Sequence, residues 1–269
     1  MNHSLAYKSL HALSQLLLRP RFNLSCVWRE IDDAPTDRIL AQHRRWCKGK
    51  LPRKALVEIL PAARQIDVSL PRVLDRLQGK SITIEEMGCP CAIVKSSKPR
   101  KLLEIGTFDG NTALALAANA GPESQVVTVD LPLDFTREEM ASLPNTNSRI
   151  NLTERSRGTT ERSQVGQQFK DHPLGYRIKQ VYGDSATLDW EALGGPFDFV
   201  FIDGCHTEKY VISDTRNALA QMKKPGVILW HDYGMMESVS TAVDSLASEI
   251  SNLTVSVILG TRLAIGFIT

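Results

Sequence analysis

Short apolar runs alternate with helix-like segments along the chain from about residue 99. The runs are KLLEIG, SQVVTVD, RIKQVYGD, FDFVFIDG and GVILWHD. Runs of this length are typical of strands buried on both faces of a parallel sheet, and such strands need crossover helices between them. The pattern therefore predicts an α/β fold built on a mainly parallel sheet.

Two helices and a hairpin complete this pattern. The segment NTALALAANA is rich in Ala and Leu, and Asn111 or Thr112 is placed to cap it. The segment TEKYVISDTRNALAQMKK predicts another helix, which Pro225-Gly226 would end. The tail LTVSVILGTRLAIGFIT predicts two strands joined near Gly260-Thr261, so we expect the sheet to finish with an antiparallel strand.

The beginning of the chain has a different pattern. Its short amphipathic segments are separated by Pro20, Pro35, Pro52, Pro61 and Pro71. We predict a helical N-terminal extension over residues 1–95, acting as a cap or as the subunit contact of a homo-oligomer. The main domain is then expected over residues 96–269.

Residues 132–176 fit no regular element. The segment is polar and long for a connection inside a compact domain, which is typical of functional or disordered loops. We predict either a lid over a binding site or a solvated loop. Its arginines could attract an anionic or sugar-phosphate ligand; they are Arg149, Arg155, Arg157, Arg162 and Arg177.

Composition narrows the partners and the compartment. The net charge is +2 and no long basic block is present, which argues against nucleic acid or a membrane surface as a partner. No apolar stretch reaches the roughly 18 residues that a membrane span needs, and the N-terminal segment lacks the order of a signal peptide. The five cysteines are scattered, so we predict a reducing, cytoplasmic location.

Polar groups follow the apolar runs at the point where each predicted strand ends. They are Glu104 to Gly110, Asp130, Gly183-Asp184-Ser185, Asp203 and His231-Asp232. The carboxyl ends of parallel strands lie at one edge of a sheet, where ligands bind. Asp130 can accept the hydroxyls of a ribose there, and Asp184-Ser185 suits an adenine edge. The set predicts a nucleoside-type ligand.

The first loop discriminates between cofactor classes. Gly106 and Gly110 are spaced Gly-x-x-x-Gly, with Asp109 between them. A nicotinamide enzyme would carry Gly-x-Gly-x-x-Gly for its pyrophosphate, and a carboxylate in the loop would repel phosphate. A nucleoside ligand without phosphates is therefore favoured over NAD.

The motifs LLEIGTFDGNTALALA, VVTVDLP, VYGDSATLDW, FVFIDGCHTEKYVISD and GVILWHDYG resemble the class I S-adenosylmethionine-dependent methyltransferases. The likeness covers about residues 99–269, and the FIDG-x-H strand end resembles the small-molecule O-methyltransferase-like branch. It implies a Rossmann-like, seven-stranded sheet with a reversed last strand. It also implies cofactor contacts from Glu104, Gly106, Thr107, Phe108, Gly110, Thr112, Asp130, Leu131, Asp184, Ser185, Asp203 and Gly204.

The acceptor must lose a proton when it is a hydroxyl, and histidine suits that task. His206 and His231 both lie beside predicted strand ends, together with Asp203, and either could be the base. A structural alternative is that His206 caps the helix beginning near Thr207, or that His231 bonds a backbone carbonyl.

A catalytic divalent metal is the other arrangement. Metal-dependent relatives place acidic ligands where Asp203 and Asp232 stand, and Mg²⁺ prefers such oxygen ligands. His231 departs from that pattern, because some of these relatives carry an oxygen ligand at its position. A turn role is the alternative for Asp232.

Four further residues have two interpretations each. Trp190 and Trp230 line substrate space or belong to the core, and Tyr210 and Asp214 are expected as helix packing or surface.

The expected function is methyl transfer from S-adenosylmethionine to a small-molecule acceptor, at a hydroxyl oxygen. Three alternatives stay open: a non-catalytic nucleoside-binding module of the same fold, a methyltransferase acting on protein, and a nucleotide-dependent oxidoreductase.

Overall fold

The computed structural model describes residues 49–72, 82–134 and 164–269. Lys48–Thr269 form one compact unit. The helices predicted before residue 49 and most of the predicted lid lie outside the described residues. Among the helices of the described part, none has the length and apolar character needed to cross a membrane.

The described elements follow the predicted order. The strands are β1 Arg53–Lys54, β2 Lys101–Ile105, β3 Gln125–Asp130, β4 Ile178–Tyr182, β5 Phe197–Ile202, β6 Met222–Trp230, β7 Leu253–Ile258 and β8 Ala264–Ile268. The α-helices are α1 Leu56–Ile59, α2 Ile84–Ser97, α3 Asn111–Asn119, α4 Gln167–Lys170, α5 Glu208–Ala220 and α6 Glu237–Glu249. Short 3₁₀ helices cover Pro61–Gln65, Gly175–Arg177 and Glu191–Leu193.

The strands form one sheet in the order β1-β7-β8-β6-β5-β2-β3-β4. Strand β8 runs antiparallel to both of its neighbours, which confirms the predicted reversed last strand. The remaining pairs are parallel. The described sheet has eight strands rather than seven, because β1 adds a short edge strand beside β7.

Two apolar layers cover the sheet. Strands β2, β3, β5 and β6 place alternate side chains on opposite faces, as the two-residue period of a strand requires. One face packs against α5 and α6, with Val211 and Val243 among the buried contacts. The other packs against α2 and α3, with Val94 and Leu116 among them. The sheet is therefore buried on both sides, as its continuous apolar runs predict.

The compact unit begins earlier than the predicted boundary at residue 96. Helix α2 starts inside the predicted extension, where Thr83 and Glu86 form a reciprocal capping box. Its buried residues Ile93 and Val94 belong to the core that covers one face of the sheet. Burial of this helix face ties residues 82–97 to the main domain.

Two local predictions are corrected. Helix α5 ends at Ala220, and Met222 already pairs with Phe197 in the sheet. The β5–β6 ladder breaks after that pair, and Pro225, which has no N–H to donate, falls in the break. Helix α3 is preceded by Gly110 at φ +87°, so neither Asn111 nor Thr112 is its cap.

The register brings the predicted strand ends together. Ile105 pairs with both Val129 and Ile202, and Ile202 pairs with Trp230. The residues just beyond these ends continue the contacts: Asp203 N–H donates to the carbonyl of Ile105 at 2.8 Å. Gly106, Asp130, Asp203 and His231 therefore leave the sheet at one edge.

Gly106 should tolerate no side chain. It has φ +99°, and an added Cβ would overlap the carbonyl oxygen of Asp203. Gly260 has φ +85° with open space around it, so it separates the backbone cost from the steric cost. We expect Gly260→Ala to lower the free energy of unfolding by about 1 kcal/mol and Gly106→Ala by about 3 kcal/mol or more, measured by urea denaturation. Equal losses would contradict this explanation.

Candidate functional site

Asp130 is fixed at the end of β3 by two backbone donors. Its Oδ2 accepts the N–H of Phe108 at 2.9 Å, and its Oδ1 accepts the N–H of Leu131 at 2.8 Å. Phe108 adopts φ +47°, which is unusual for a residue with a side chain, and its ring is 39% exposed. A carboxylate only accepts hydrogen bonds, which is what a ligand hydroxyl requires of its partner.

Glu104 lies beneath this loop and is fully buried. Its Oε2 accepts the Thr128 hydroxyl at 2.5 Å, and the Thr107 and Thr128 hydroxyl oxygens lie 2.7 Å apart. Its Oε1 has no partner among the described residues. Burial raises the pKa of Glu104 well above its usual value, and the Asp203 and Asp130 carboxylates raise it further. Burial and these neighbours therefore favour the protonated form of Glu104.

The two glycines of the loop are required for different reasons. Gly106 is required by the Asp203 backbone, whereas a Cβ at Gly110 would collide with the ring of Phe169. Gly110 therefore serves the packing of α4, which comes from the segment predicted as irregular. Asp109 Oδ1 accepts the N–H of Asn111 at 3.0 Å, and burial raises the pKa of Asp109. Thr112 lies in the first turn of α3.

Asp184 follows β4 and meets an unexpected partner. Tyr210 on α5 is buried, and its hydroxyl donates to Asp184 Oδ2 at 3.1 Å. The Trp190 indole N–H donates to the carbonyl of Ser185 at 3.0 Å. Tyr210 and Trp190 thus fix the turn that carries the predicted adenine contacts. This corrects the expectation that Tyr210 is only helix packing or surface.

Other predicted site-lining residues are structural. Trp230 is fully buried, and its indole N–H donates to the Thr215 hydroxyl at 2.8 Å, so it belongs to the core. Arg177 is buried and donates to the carbonyls of Ser124 and Gly121, so it holds the turn before β3 and does not attract a ligand. The other predicted lid arginines lie outside the described residues.

A second polar cluster lies where β5 and β6 end. His206 Nε2 is 3.2 Å from Asp232 Oδ2 and 3.5 Å from Asp203 Oδ1. Asp232 adopts φ +56°, which turns the chain just after β6. Thr207, and not His206, caps α5 by accepting the N–H of Tyr210. The His206 side chain contacts both aspartates and is 21% exposed.

His231 is buried among carboxylates. Its Nδ1 lies 3.1 Å from Asp203 Oδ1 and 3.4 Å from Asp232 Oδ1. Its Nε2 lies 3.6 Å from Glu86 Oε2, which is an ion contact too long for a hydrogen bond. Burial lowers the pKa of His231, but Asp203 and Asp232 outweigh it and raise the pKa to about 10. At neutral pH this imidazole is a cation and has no lone pair for an acceptor proton.

Glu86 and Arg262 complete the cluster, and sequence reasoning missed both. Arg262 Nη2 and Nε donate to the two Glu86 oxygens at 2.6 and 2.9 Å, and its Nη1 donates to Asp232 Oδ1 at 2.8 Å. These residues are 176 positions apart, one in a capping box and one in a hairpin loop. The sequence pattern at Thr83 indicates that Glu86 takes part in a capping box. No local pattern indicates that Glu86 also forms an ion pair with Arg262.

The cluster carries compensated charge. Burial alone would raise the pKa values of Glu86 and Asp203, but His231 and a second basic side chain near each carboxylate hold both values below their usual range. The second partner is Arg262 for Glu86 and His206 for Asp203. Three carboxylates thus face the two fixed cations His231 and Arg262, which leaves one net negative charge beside His206.

Asp214 is a buried acid outside this cluster. Neither oxygen has a hydrogen bond of normal geometry, although the Ser185 hydroxyl is close enough to favour the ionised form slightly. Burial raises the pKa of Asp214 to about 7. This corrects the expectation that Asp214 lies on the helix surface or in ordinary packing.

Removing Arg262 should destabilise the chain strongly. We expect Arg262→Met to lower the free energy of unfolding by about 3–5 kcal/mol, because Glu86 is left buried and charged. Arg216→Met is the matched control, because it breaks an exposed ion pair with Glu249. It should leave the free energy of unfolding almost unchanged. In Glu86→Gln/Arg262→Met the uncompensated charge is gone, so part of the loss should be recovered. A loss as small as that of the control would refute this role.

Asp214 should make stability depend on pH. Between about pH 4 and pH 7 the unfolded chain ionises this carboxyl while the folded chain keeps its proton, so stability falls as pH rises. Asp214→Asn should remove this loss. Relative to wild type, its free energy of unfolding should rise by roughly 2–4 kcal/mol between pH 4 and pH 7.5. Urea unfolding at several pH values measures it, with the exposed Asp171→Asn as control. A gain independent of pH would contradict the assignment.

Comparison with known proteins agrees with this fold. Residues 103–233 match the family model described as a methyltransferase domain. Catechol O-methyltransferase from Mycobacterium tuberculosis is 30% identical over 135 residues, which are 50% of this chain and 46% of that protein. The alignment therefore spans about half the length of this curated relative.

Two solved structures share the architecture. The S-adenosylhomocysteine-bound methyltransferase PaMTH1 from Podospora anserina has a TM-score of 0.52 at 17% identity, over 87% of this chain and 94% of that one. The O-methyltransferase NovP has a TM-score of 0.54 at 15% identity, over 70% of this chain and 81% of that one. At these identities the likeness concerns the fold. Residues 103–233 are thus similar to a methyltransferase domain, and the chain shares its fold with these two methyltransferases.

Proposed function

We propose that this chain transfers a methyl group from S-adenosylmethionine to a hydroxyl oxygen of a small molecule. The observation that carries the proposal is the pairing of two sites at one sheet edge. A fixed carboxylate, Asp130, stands beside the glycine loop, and the Asp203–His206–Asp232 cluster stands two strands away. The first suits a nucleoside cofactor and the second suits proton removal from an acceptor.

The cofactor half is assigned to the loops after β2, β3 and β4. Asp130 is proposed to accept the ribose hydroxyls, and Asp184 with Ser185 to face the adenine. Glu104 lies under the loop with one unpartnered oxygen, where a cationic ligand would favour its ionised form. Further contacts are proposed from Gly106, Thr107, Phe108, Gly110, Thr112, Leu131, Asp203 and Gly204.

S-adenosylmethionine, when bound, supplies an electrophilic sulfonium methyl group. The protein's contribution is to hold the acceptor oxygen in line with that methyl and to remove the acceptor's proton. We assign proton removal to the cluster of His206, Asp203 and Asp232. His206 is preferred to His231 because it is partly exposed, whereas His231 is a buried cation.

The cluster could act through a divalent metal or through His206 alone. Asp203 and Asp232 offer oxygen ligands, and a metal between them would lower the pKa of the acceptor hydroxyl. Without a metal, His206 would take the proton and the two aspartates would stabilise the imidazolium. The mycobacterial relative is a catechol O-methyltransferase, which is consistent with a hydroxyl acceptor.

Compartment and partners are part of the proposal. In the described part of the chain Cys89, Cys91 and Cys205 form no disulfide, which supports a reducing compartment such as the cytoplasm. A protein acceptor is the second candidate for the methyl group. Subunit contact through the N-terminal helices stays a prediction, since the residues before 49 lie outside the described part of the chain.

Calorimetry with S-adenosylhomocysteine tests the cofactor assignment. We expect binding to the intact chain and a loss of about 10–100-fold in affinity for Asp130→Ala, because a charged hydrogen-bond acceptor is removed. Asp171→Asn is the control and should bind normally. Absence of binding to the intact protein would contradict the proposed function.

Methyl transfer tests the activity itself. Labelled S-adenosylmethionine with a pool of catechols and other small hydroxyl compounds should give labelled product, and the product should be lost in Asp203→Asn. Binding of S-adenosylhomocysteine with no transfer to small molecules or protein would instead identify a binding module.

A further inference from the structure

We propose that Asp203, His206 and Asp232 bind a borderline first-row divalent metal, such as Mn²⁺ or Co²⁺, in preference to Mg²⁺. The inference rests on the proposed function, because it concerns the metal that would activate the acceptor hydroxyl. It adds His206 as a ligand and specifies the class of metal.

The spacing of the three side chains fits a metal. One ligand atom from each residue lies within 4.8 Å of the others, and His206 Nε2 is 3.2 and 3.5 Å from the nearest aspartate oxygens. Ligands that bind at about 2.1 Å at right angles to one another lie about 3.0 Å apart. A small outward movement of these side chains would admit the ion.

The ligand types favour a borderline metal. Mg²⁺ prefers oxygen ligands and gains little from imidazole, whereas the later first-row ions bind nitrogen and oxygen together. His206 is held for this role by its backbone, since its carbonyl accepts the Ser238 hydroxyl from α6 at 2.5 Å. This bond fixes the backbone from which the His206 side chain reaches the aspartates.

Metal titration by calorimetry tests the selectivity. We expect wild-type protein to bind Mn²⁺ about tenfold or more tightly than Mg²⁺. His206→Asp supplies an oxygen ligand in place of the imidazole, so it should bind Mg²⁺ more tightly and lose most of the preference for Mn²⁺. His172→Asn removes a histidine of the described chain whose ring accepts the Leu174 N–H, and it should keep the wild-type preference.

Pulsed electron paramagnetic resonance of the Mn²⁺-loaded protein provides an independent reading. Wild type and His172→Asn should show nitrogen coupling from one imidazole, and His206→Asp should lose it. Mn²⁺ has little affinity for thiols, so Cys205 should not compete. If His206→Asp folds poorly, His206→Asn serves the same comparison.

Two outcomes would overturn the inference: Mg²⁺ binding as tight as Mn²⁺, or Mn²⁺ binding without nitrogen coupling. Failure to bind any divalent metal, with S-adenosylhomocysteine binding intact, would also overturn it and would leave His206 as the base in the proposed reaction. Loss of S-adenosylhomocysteine binding by wild type would instead defeat the proposed function.

Discussion

The geometry of the Asp203–His206–Asp232 cluster depends on one interaction, the buried ion pair between Glu86 and Arg262. Arg262 holds Glu86 through two donors and reaches Asp232 with a third. It thereby joins the start of α2 and the β7–β8 hairpin to the end of β6. Buried charges are costly unless they are fully paired, so the three segments are constrained to one arrangement.

The same pairing orients the cluster. Asp232 has one oxygen committed to Arg262, and the other faces His206. Asp203 is similarly held by His231, which in turn contacts Glu86. The helix and the hairpin loop thus fix side chains that belong to β5 and β6. A site built on strand ends alone would leave two aspartates side by side with unbalanced repulsion.

Glu104 and Asp203 lie on adjacent strands, and their pKa values shift in opposite directions. Burial raises the pKa of Glu104, and the Asp203 and Asp130 carboxylates raise it further. Asp203 is partly exposed, and His231 and His206 beside it hold its pKa below the usual range. The histidines therefore distinguish the carboxylate after β5 from the carboxylate under the glycine loop.

The sequence by itself determined the α/β class, the strands, the reversed final strand and the row of polar strand ends. These features depend on residue periodicity and on the rule that parallel strands end at one edge. The boundary between α5 and β6 and the cap of α3 were predicted incorrectly, since Pro225 and Gly110 have roles set by the ladder and by Phe169.

Tertiary structure decided which polar groups meet and in which state of charge. Only the fold brings Glu86 to Arg262, buries Asp214 and encloses His231 among carboxylates. These contacts join residues far apart in sequence, and their pKa values follow from burial and neighbouring charge. No local pattern of residues carries that information.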